Sequence, residues 1–361
     1  TVGARRLVNH ARRASHGHDA ALGRALDTLD GPCDPEQEDM VRDARIDFGS
    51  DDDRLRLVFT CCHPALAPET RVALTLNVVS GLEAAMIARA FLVDERAMAQ
   101  RLTRAKRKIR DAGIPFRVPP LHDLPERLPD VLKTIELVFN EGHTAARGPS
   151  LDAPDLADEA VRLAHSLHGL LPEEPEVGGL LALLLLTDAR RAARIGVDGD
   201  LVRLPDQDRS LWDARKIAAG RTRLADAVRA GGKGPFVLRA ALSAEHSTAP
   251  TAAATRWPRV VALYDALLEV EPSPLIALNR AVAVGEVRGP VAMLEAVEAL
   301  PGESRGVLDR LHYLHVARGD ALVRLGRIDE ARVAFGLARD RAQNETERRH
   351  VAGRLAALDE R

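Results

Sequence analysis

The sequence contains few aromatic residues, which make up 3% of its 361 positions. Isoleucine and threonine, which favour strands because they pack well on a pleated surface, are also scarce. Alanine, leucine and arginine are abundant and lose little rotamer freedom in a helix. With 46% hydrophobic and 29% charged residues, the chain has the composition of a folded globular protein. We therefore expect an all-α fold.

Cysteine is scarce as well, with one residue at position 33 and an adjacent pair, Cys61 and Cys62. An odd number with one adjacent pair is a poor disulfide framework and indicates a reducing compartment, the cytoplasm. Neighbouring residues on a helix point about 100° apart, and no second cysteine pair completes a zinc site. We interpret these residues as packing thiols and expect no metal.

Long apolar runs are missing too. The most apolar stretch, residues 180–186, is far shorter than the roughly 20 residues that span a bilayer, so it predicts a core helix and no membrane segment. Residues 1–18 are basic but lack the apolar core of a signal peptide. Lysine plus arginine (51) nearly balances aspartate plus glutamate (53), so any binding of nucleic acid must depend on local charge.

No catalytic constellation is evident. Glu141 and His143 lack a nucleophile and an orienting partner, and so do the aspartates near Trp212 at positions 206, 208 and 213. We expect these groups to cap helices and to pair with Arg209 and Arg215, in a protein that is not an enzyme and needs no cofactor.

The length exceeds one ordinary hydrophobic core, so several domains are expected. Proline, glycine and acidic clusters divide the chain into a basic amphipathic segment (1–18), a linker (19–53), a helical domain (54–114), a second linker (115–130) and a helical C-terminal domain (131–361). Within the last part, residues 258–361 resemble tetratricopeptide-type helix pairs, because Gly319, Leu322, Ala331, Phe335 and Ala338 follow the spacing of small and large packing positions.

A helix-turn-helix motif is indicated inside the domain at 54–114. Ser80 and Glu83 have the spacing of a capping box, which predicts a helix over 82–92. Asp94 is suited to cap a second helix after a very short turn.

The second helix has two different faces. Met98, Leu102, Ala105 and Ile109 share one face by the 3.6-residue period and should pack inward. The rest of the helix is basic and suits a DNA major groove, in which residues near the helix start read bases and the flanks hold phosphates. Our candidates for bases are Arg96, Gln100 and Arg104; the further DNA-binding candidates are Arg101, Thr103, Lys106, Arg107, Lys108 and Arg110.

Three other interpretations fit the same pattern. A charge run is often only a solvated helix face, the helical repeats could form a scaffold that binds proteins, and the motif could belong to a repressor that works without polymerase. Lost DNA binding after charge reversal separates a DNA reader from a scaffold, and dependence on RNA polymerase separates a factor that acts with that enzyme from a repressor.

The stretch SGLEAAMIARAFLVDERAMAQRLTRAKRKI resembles region 4 of sigma factors of the extracytoplasmic-function type, within the sigma-70 family. DDRLRLVFTCCHPAL, LVFNEGHTA, LLALLLLTDARRAAR, DQDRSLWD and PSPLIALNRAVAV are similar to signatures of a subgroup with a long tetratricopeptide-like extension. The resemblance implies binding to the β flap of core RNA polymerase and to the minus-35 element of promoter DNA. It also implies a regulatory C-terminal domain through which a further protein could act.

The resemblance extends to the start of the chain. Residues 1–15 are similar to the tail of region 2, which recognises the minus-10 element, and this makes Arg5, Arg6, Arg12 and Arg13 candidates for DNA contacts. Most of region 2 is absent before Thr1. We therefore expect that the chain as given lacks full activity in transcription initiation without that region.

Overall fold

The computed structural model describes residues 51–79, 81–91, 93–114, 124–144, 153–196, 202–342 and 345–359. Across these ranges the regular structure is helical, with no strand. The all-α prediction is therefore confirmed. The N-terminal arginines proposed above, Cys33 and Ser80 lie outside the described residues.

The chain divides into two compact units, Thr1–Val177 and Gly178–Arg361. The helices of the first unit are α1 (Asp51–Cys61), α2 (Pro68–Val78), α3 (Ala84–Ala90), α4 (Glu95–Asp111), α5 (Leu124–Thr144) and α6 (Ala153–Leu170). The next helix, α7 (Pro175–Asp188), crosses the division.

In the first unit, the two later helices α5 and α6 pack against α1 and α2. Helices α5 and α6 pack on each other, α5 also packs on α2, and α6 packs on α1. Phe59 of α1, Leu74 of α2, Ile135 and Phe139 of α5, and Leu167 of α6 are fully buried. Removing α5 and α6 would therefore expose apolar faces of α1 and α2 to water.

Helix α5 begins at Leu124, inside the stretch predicted as a linker over 115–130. Five prolines at 115, 119, 120, 125 and 129 indicated a linker there, but Pro125 lies in the first turn of α5, where the missing N–H has no helical partner in any case. Only Pro129 falls inside the helix, at the cost of one hydrogen bond to the preceding turn. Helix-start prolines resemble linker prolines in sequence, so the proline pattern did not reveal this helix start; the domain boundaries stay a prediction.

The second unit continues in short helices. These are α8 (Ala214–Arg229), α9 (Pro235–Thr248), α10 (Trp257–Val270), α11 (Pro274–Arg288), α12 (Pro290–Glu298), α13 (Gly302–Leu308), α14 (His312–Arg324), α15 (Ile328–Arg341) and α16 (Glu345–Asp359). Three single-turn 3₁₀ helices, Arg191–Ala193, Leu204–Asp206 and Arg209–Leu211, precede α8.

The apolar run at 180–186 lies in α7, and six of its seven side chains are buried, as predicted for a core helix. No helix among the described residues is long and apolar enough to cross a membrane.

Successive helices from α8 to α12 pack on their neighbours, and so do α14 with α15 and α15 with α16. Small residues allow the close approaches. A Cβ built on Gly319 would lie 2.7 Å from the ring of Phe335, and one on Gly285 would lie 2.6 Å from Cβ of Met293. Helix pairing is thus observed over the part compared with tetratricopeptide repeats, whereas membership of that repeat class stays a prediction.

Buried carboxylates join several of these helices. Asp188 at the end of α7 accepts hydrogen bonds from Arg191 and from Lys216 of α8. Glu245 of α9 is paired at 2.9 Å with Nε of Arg256 and with Nε of Arg259. Because a buried charge without its partner is strongly destabilising, these pairs fix which helix faces meet.

Two of the aspartates near Trp212 cap helices, as expected from the sequence. Asp208 accepts from the backbone N–H of Ser210, and Asp213 accepts from those of Arg215 and Lys216, so both act as caps. The predicted pairing partner Arg209 donates instead to the carbonyls of His246 and Ala249.

Cys61 and Cys62 are both buried and unbridged, as expected for packing thiols. Burial raises the pKa of Cys62 to about 11 and that of Cys61 further still.

Candidate nucleic-acid interface

The first helix of the motif is shorter than the sequence predicts. Helix α3 covers Ala84–Ala90 instead of 82–92, and its first backbone bonds run from Met86 and Ile87 to the carbonyl of Glu83. The chain is instead turned just before it. Gly81 has a φ of +67°, and Nδ2 of Asn77 in α2 donates to the carbonyl of Leu82 at 2.8 Å. These contacts keep Leu82 out of the helix.

The second helix begins where the sequence indicates. Asp94 is the N-cap of α4, and its Oδ1 accepts the backbone N–H of Ala97 at 2.9 Å. Glu95 in the first turn, and Lys108 and Arg110 in the last, complement the helix dipole. The preceding turn is tight, because Val93 donates its N–H to the carbonyl of Ala88 at 3.0 Å. The cap at the start of the recognition helix is thus confirmed.

The inward face of α4 is also confirmed. Met98, Leu102, Ala105 and Ile109 are all buried, and α4 packs on both α2 and α3. This packing determines which residues face solvent.

The opposite face carries the predicted DNA-binding residues. Those that are exposed are Arg96, Gln100, Thr103, Arg104, Arg107, Lys108 and Arg110, while Arg101 and Lys106 are half-buried. No side-chain hydrogen bond or ion pair within the described part of the chain involves Arg96, Gln100, Arg104 or Arg107. Their polar groups are therefore available to an external ligand.

The other five candidates, among them Arg101, Thr103 and Lys108, all have internal contacts. Arg101 lies 3.9 Å from the carboxylate of Glu69, which is exposed, and so distant a surface pair contributes little. The hydroxyl of Thr103 donates to the carbonyl of Ala99 at 2.9 Å, which leaves its oxygen able to accept. Lys108 donates from Nζ to the carbonyl of Ala65.

Sequence reasoning missed two residues that support this surface. Asn77 shapes the entry to α3, as described above. Arg71 lies in α2 among apolar neighbours, is only 8% exposed, and donates from Nε to the carbonyl of Leu66 at 2.8 Å. An arginine directly before the run VALTL at 72–76 was the available signal, but the pattern does not identify the groups that pair with it.

Comparisons with known proteins agree with this geometry. A family model described as Sigma-70, region 4, matches residues 56–109, which span α1 to α4. A family of unknown function (DUF6596) matches residues 127–228. The chain is 46% identical over 307 residues to the uncharacterized protein R00370 of Rhizobium meliloti (strain 1021), covering 85% of this chain and 72% of the relative.

Proposed function

The chain belongs to the same family as this Rhizobium meliloti relative and carries a sigma-70 region 4 domain, and we propose that it is a sigma factor of the extracytoplasmic-function type. In this role it binds core RNA polymerase at the β flap and the minus-35 element of promoter duplex DNA. It directs initiation of transcription in the cytoplasm and has no enzymatic activity of its own.

The observation that carries this proposal is the exposed basic face of α4. Arg96, Gln100 and Arg104 lie on it at intervals of four residues, so they follow one line along the helix. Arginine and glutamine are suited to bidentate hydrogen bonds with guanine and adenine edges in the major groove. The protein as a whole has a net charge of −2, so this local charge must provide the attraction to DNA.

The basic residues farther along α4 are assigned to phosphates. Arg107 and Arg110 are exposed in the second half of the helix, and Arg101 and Lys106 lie at its sides. Such contacts set affinity and orientation, whereas the residues at the start set sequence preference.

The helical remainder of the chain is assigned a regulatory role, with a protein partner as the effector. Two observations support this role. The C-terminal part resembles the subgroup of sigma factors with a long tetratricopeptide-like extension, and α5 and α6 pack on helices of region 4. We also assign Arg5, Arg6, Arg12 and Arg13 to DNA contacts made by the tail of region 2, as the resemblance implies.

The test combines Arg104→Glu with Arg107→Glu and measures binding to a minus-35 duplex across a salt series, with and without core polymerase. We expect the affinity for DNA to fall at least about tenfold and the slope of log K against log salt to decrease by roughly 1, since Arg107 is assigned to a phosphate, Arg104 is assigned to a base, and each phosphate contact contributes about 0.9. Association with polymerase in the absence of DNA should be unchanged.

A matched control reverses two exposed arginines of the second unit, Arg221→Glu and Arg288→Glu. An equal loss of DNA binding in this control would mean that only overall charge matters. Duplex binding without any association with polymerase would make the protein an independent repressor, and binding to neither would favour the scaffold.

A further inference from the structure

The loop between α1 and α2 is held by side chains from outside it. Three consecutive backbone carbonyls accept hydrogen bonds there. Arg71 donates from Nη2 to Pro64 at 3.3 Å and from Nε to Leu66 at 2.8 Å. The carbonyl between them, that of Ala65, accepts from Nζ of Lys108. The loop therefore has an anchor in α2 and another in the recognition helix α4.

Arg71 is itself held by the segment that follows region 4. Its Nη1 is paired with Oδ1 of Asp130 in α5. The guanidinium thus uses three of its nitrogens, two on the loop and one on α5, and it is almost fully buried. The guanidinium group is planar, and contacts from three of its nitrogens hold that plane in one orientation.

A second residue of α5 acts on the same neighbourhood. Arg127 donates from Nη2 to the carbonyl of Phe59 in the last turn of α1. The first turns of α5 therefore contact both the end of α1 and, through Arg71, the loop that follows it.

We propose that Asp130 and Arg71 are positioning residues for DNA recognition, which transmit the position of α5 through the loop to Lys108 and the recognition helix. This rests on the proposed function, because it assigns a role to these residues in DNA binding by α4. The polar path runs from Asp130 to Arg71, to the carbonyls of Pro64 and Leu66, and from Ala65 to Lys108. The helical extension thereby sets how the basic face of α4 is presented.

The sign of the expected effect separates this proposal from simple electrostatics. Removing a carboxylate makes the protein less negative, which by charge alone strengthens binding to a polyanion. Loss of the Asp130 pair instead releases Arg71 and the loop, which weakens binding. Asp130→Asn and Glu126→Gln remove the same charge from the same helix, and Glu126 is exposed and has no described partner.

The experiment measures the affinity of the full chain for a minus-35 duplex in five forms: wild type, Asp130→Asn, Glu126→Gln, Lys108→Met, and Asp130→Asn combined with Lys108→Met. We expect Asp130→Asn to weaken binding about fivefold, within the range of coupling through packed networks, and Glu126→Gln to leave it equal or stronger. With Lys108→Met already present, Asp130→Asn should weaken it no further.

A second readout does not depend on DNA. Hydrogen exchange of residues 63–67 and of α4 is compared between Asp130→Asn and Glu126→Gln, with circular dichroism to show that both are folded. The amide of Leu66, which donates to the carbonyl of His63 at 2.9 Å, should exchange faster in Asp130→Asn only.

Each outcome separates the inference from the proposed function. If the wild type binds no DNA, the proposed function fails, and faster exchange in the loop and α4 still supports the linkage. Unchanged exchange overturns the linkage whether or not DNA binds. Independent, multiplying losses for Asp130→Asn and Lys108→Met would also overturn it, since Asp130 would then act by another route.

Discussion

At the scale of single residues, the second unit contains a histidine in a positively charged setting. The ring of His246 lies edge-on to Trp257, with the ring centroids 5.5 Å apart. Burial lowers the pKa of His246 to about 4, and the positive charges of Arg190 and Arg209 act in the same direction. The folded protein therefore keeps this ring neutral in a pH range where an unfolded chain protonates it.

This difference predicts loss of stability in mild acid. The folded pKa of His246 (about 4) lies below the ordinary value of 6.5, so the unfolded state binds more protons and the free energy of unfolding falls as the pH falls below about 6.5. From pH 7 to pH 5 the loss due to this residue is about 2 kcal/mol.

Denaturation of wild type and His246→Gln, followed by tryptophan fluorescence, measures this effect. Both tryptophans, Trp212 and Trp257, belong to the second unit and report on it alone. The difference in unfolding free energy between the two proteins should change by that amount over the pH range. A constant difference would show that His246 is accessible to protons in the folded state.

At the scale of helices, the sequence pattern predicts the faces of α4 better than it predicts the ends of α3. The apolar face and the Asp94 cap depend on residues within one or two turns, so they are readable from the chain itself. The start of α3 depends on Asn77 of another helix, which binds the carbonyl of Leu82. The capping-box pattern contains no information about a side chain of another helix that binds this carbonyl.

Helix pairing in the second unit gives a prediction at the same scale. Gly319→Ala places a Cβ 2.7–2.9 Å from three ring atoms of Phe335, which is itself fully buried. Overpacking of this kind costs about 1–3 kcal/mol, which exceeds the gain of about 1 kcal/mol that alanine brings to a helix interior. Urea denaturation should therefore show a less stable second unit.

Gly336→Ala in α15 is the matched control, because nothing lies within 4 Å of the added methyl group. Here the helix propensity acts alone, and stability should rise by up to about 1 kcal/mol. Equal behaviour of the two variants would contradict the close approach of α14 to Phe335.

At the scale of the whole molecule, the first compact unit extends well beyond the region 4 match. That match ends at residue 109, whereas α5 and α6 share the core of α1 and α2. Domains of roughly 60 residues bury a small fraction of their surface and are marginally stable on their own. We therefore expect region 4 to need these two helices in order to fold well.

Two fragments test this expectation. Residues 51–170 should show a cooperative thermal transition by circular dichroism, whereas residues 51–114 should show lower helicity and a broad transition. A sharp transition of the shorter fragment at the same temperature would mean that region 4 is an autonomous domain, as the boundaries at 54–114 and 131–361 imply. Those boundaries, together with the assignment of each DNA-binding residue, stay predictions.

The sequence by itself determined the helical fold, the buried thiols, the core position of the 180–186 run, and both faces of α4, because these follow from composition and from spacing within one helix. The tertiary structure alone decided that α5 starts inside the supposed linker and packs on α2. It also decided that Lys108 and Arg71, which is paired with Asp130, converge on one loop. Such partners are tens of residues apart, and periodicity within a helix carries no information about which helix will lie beside it.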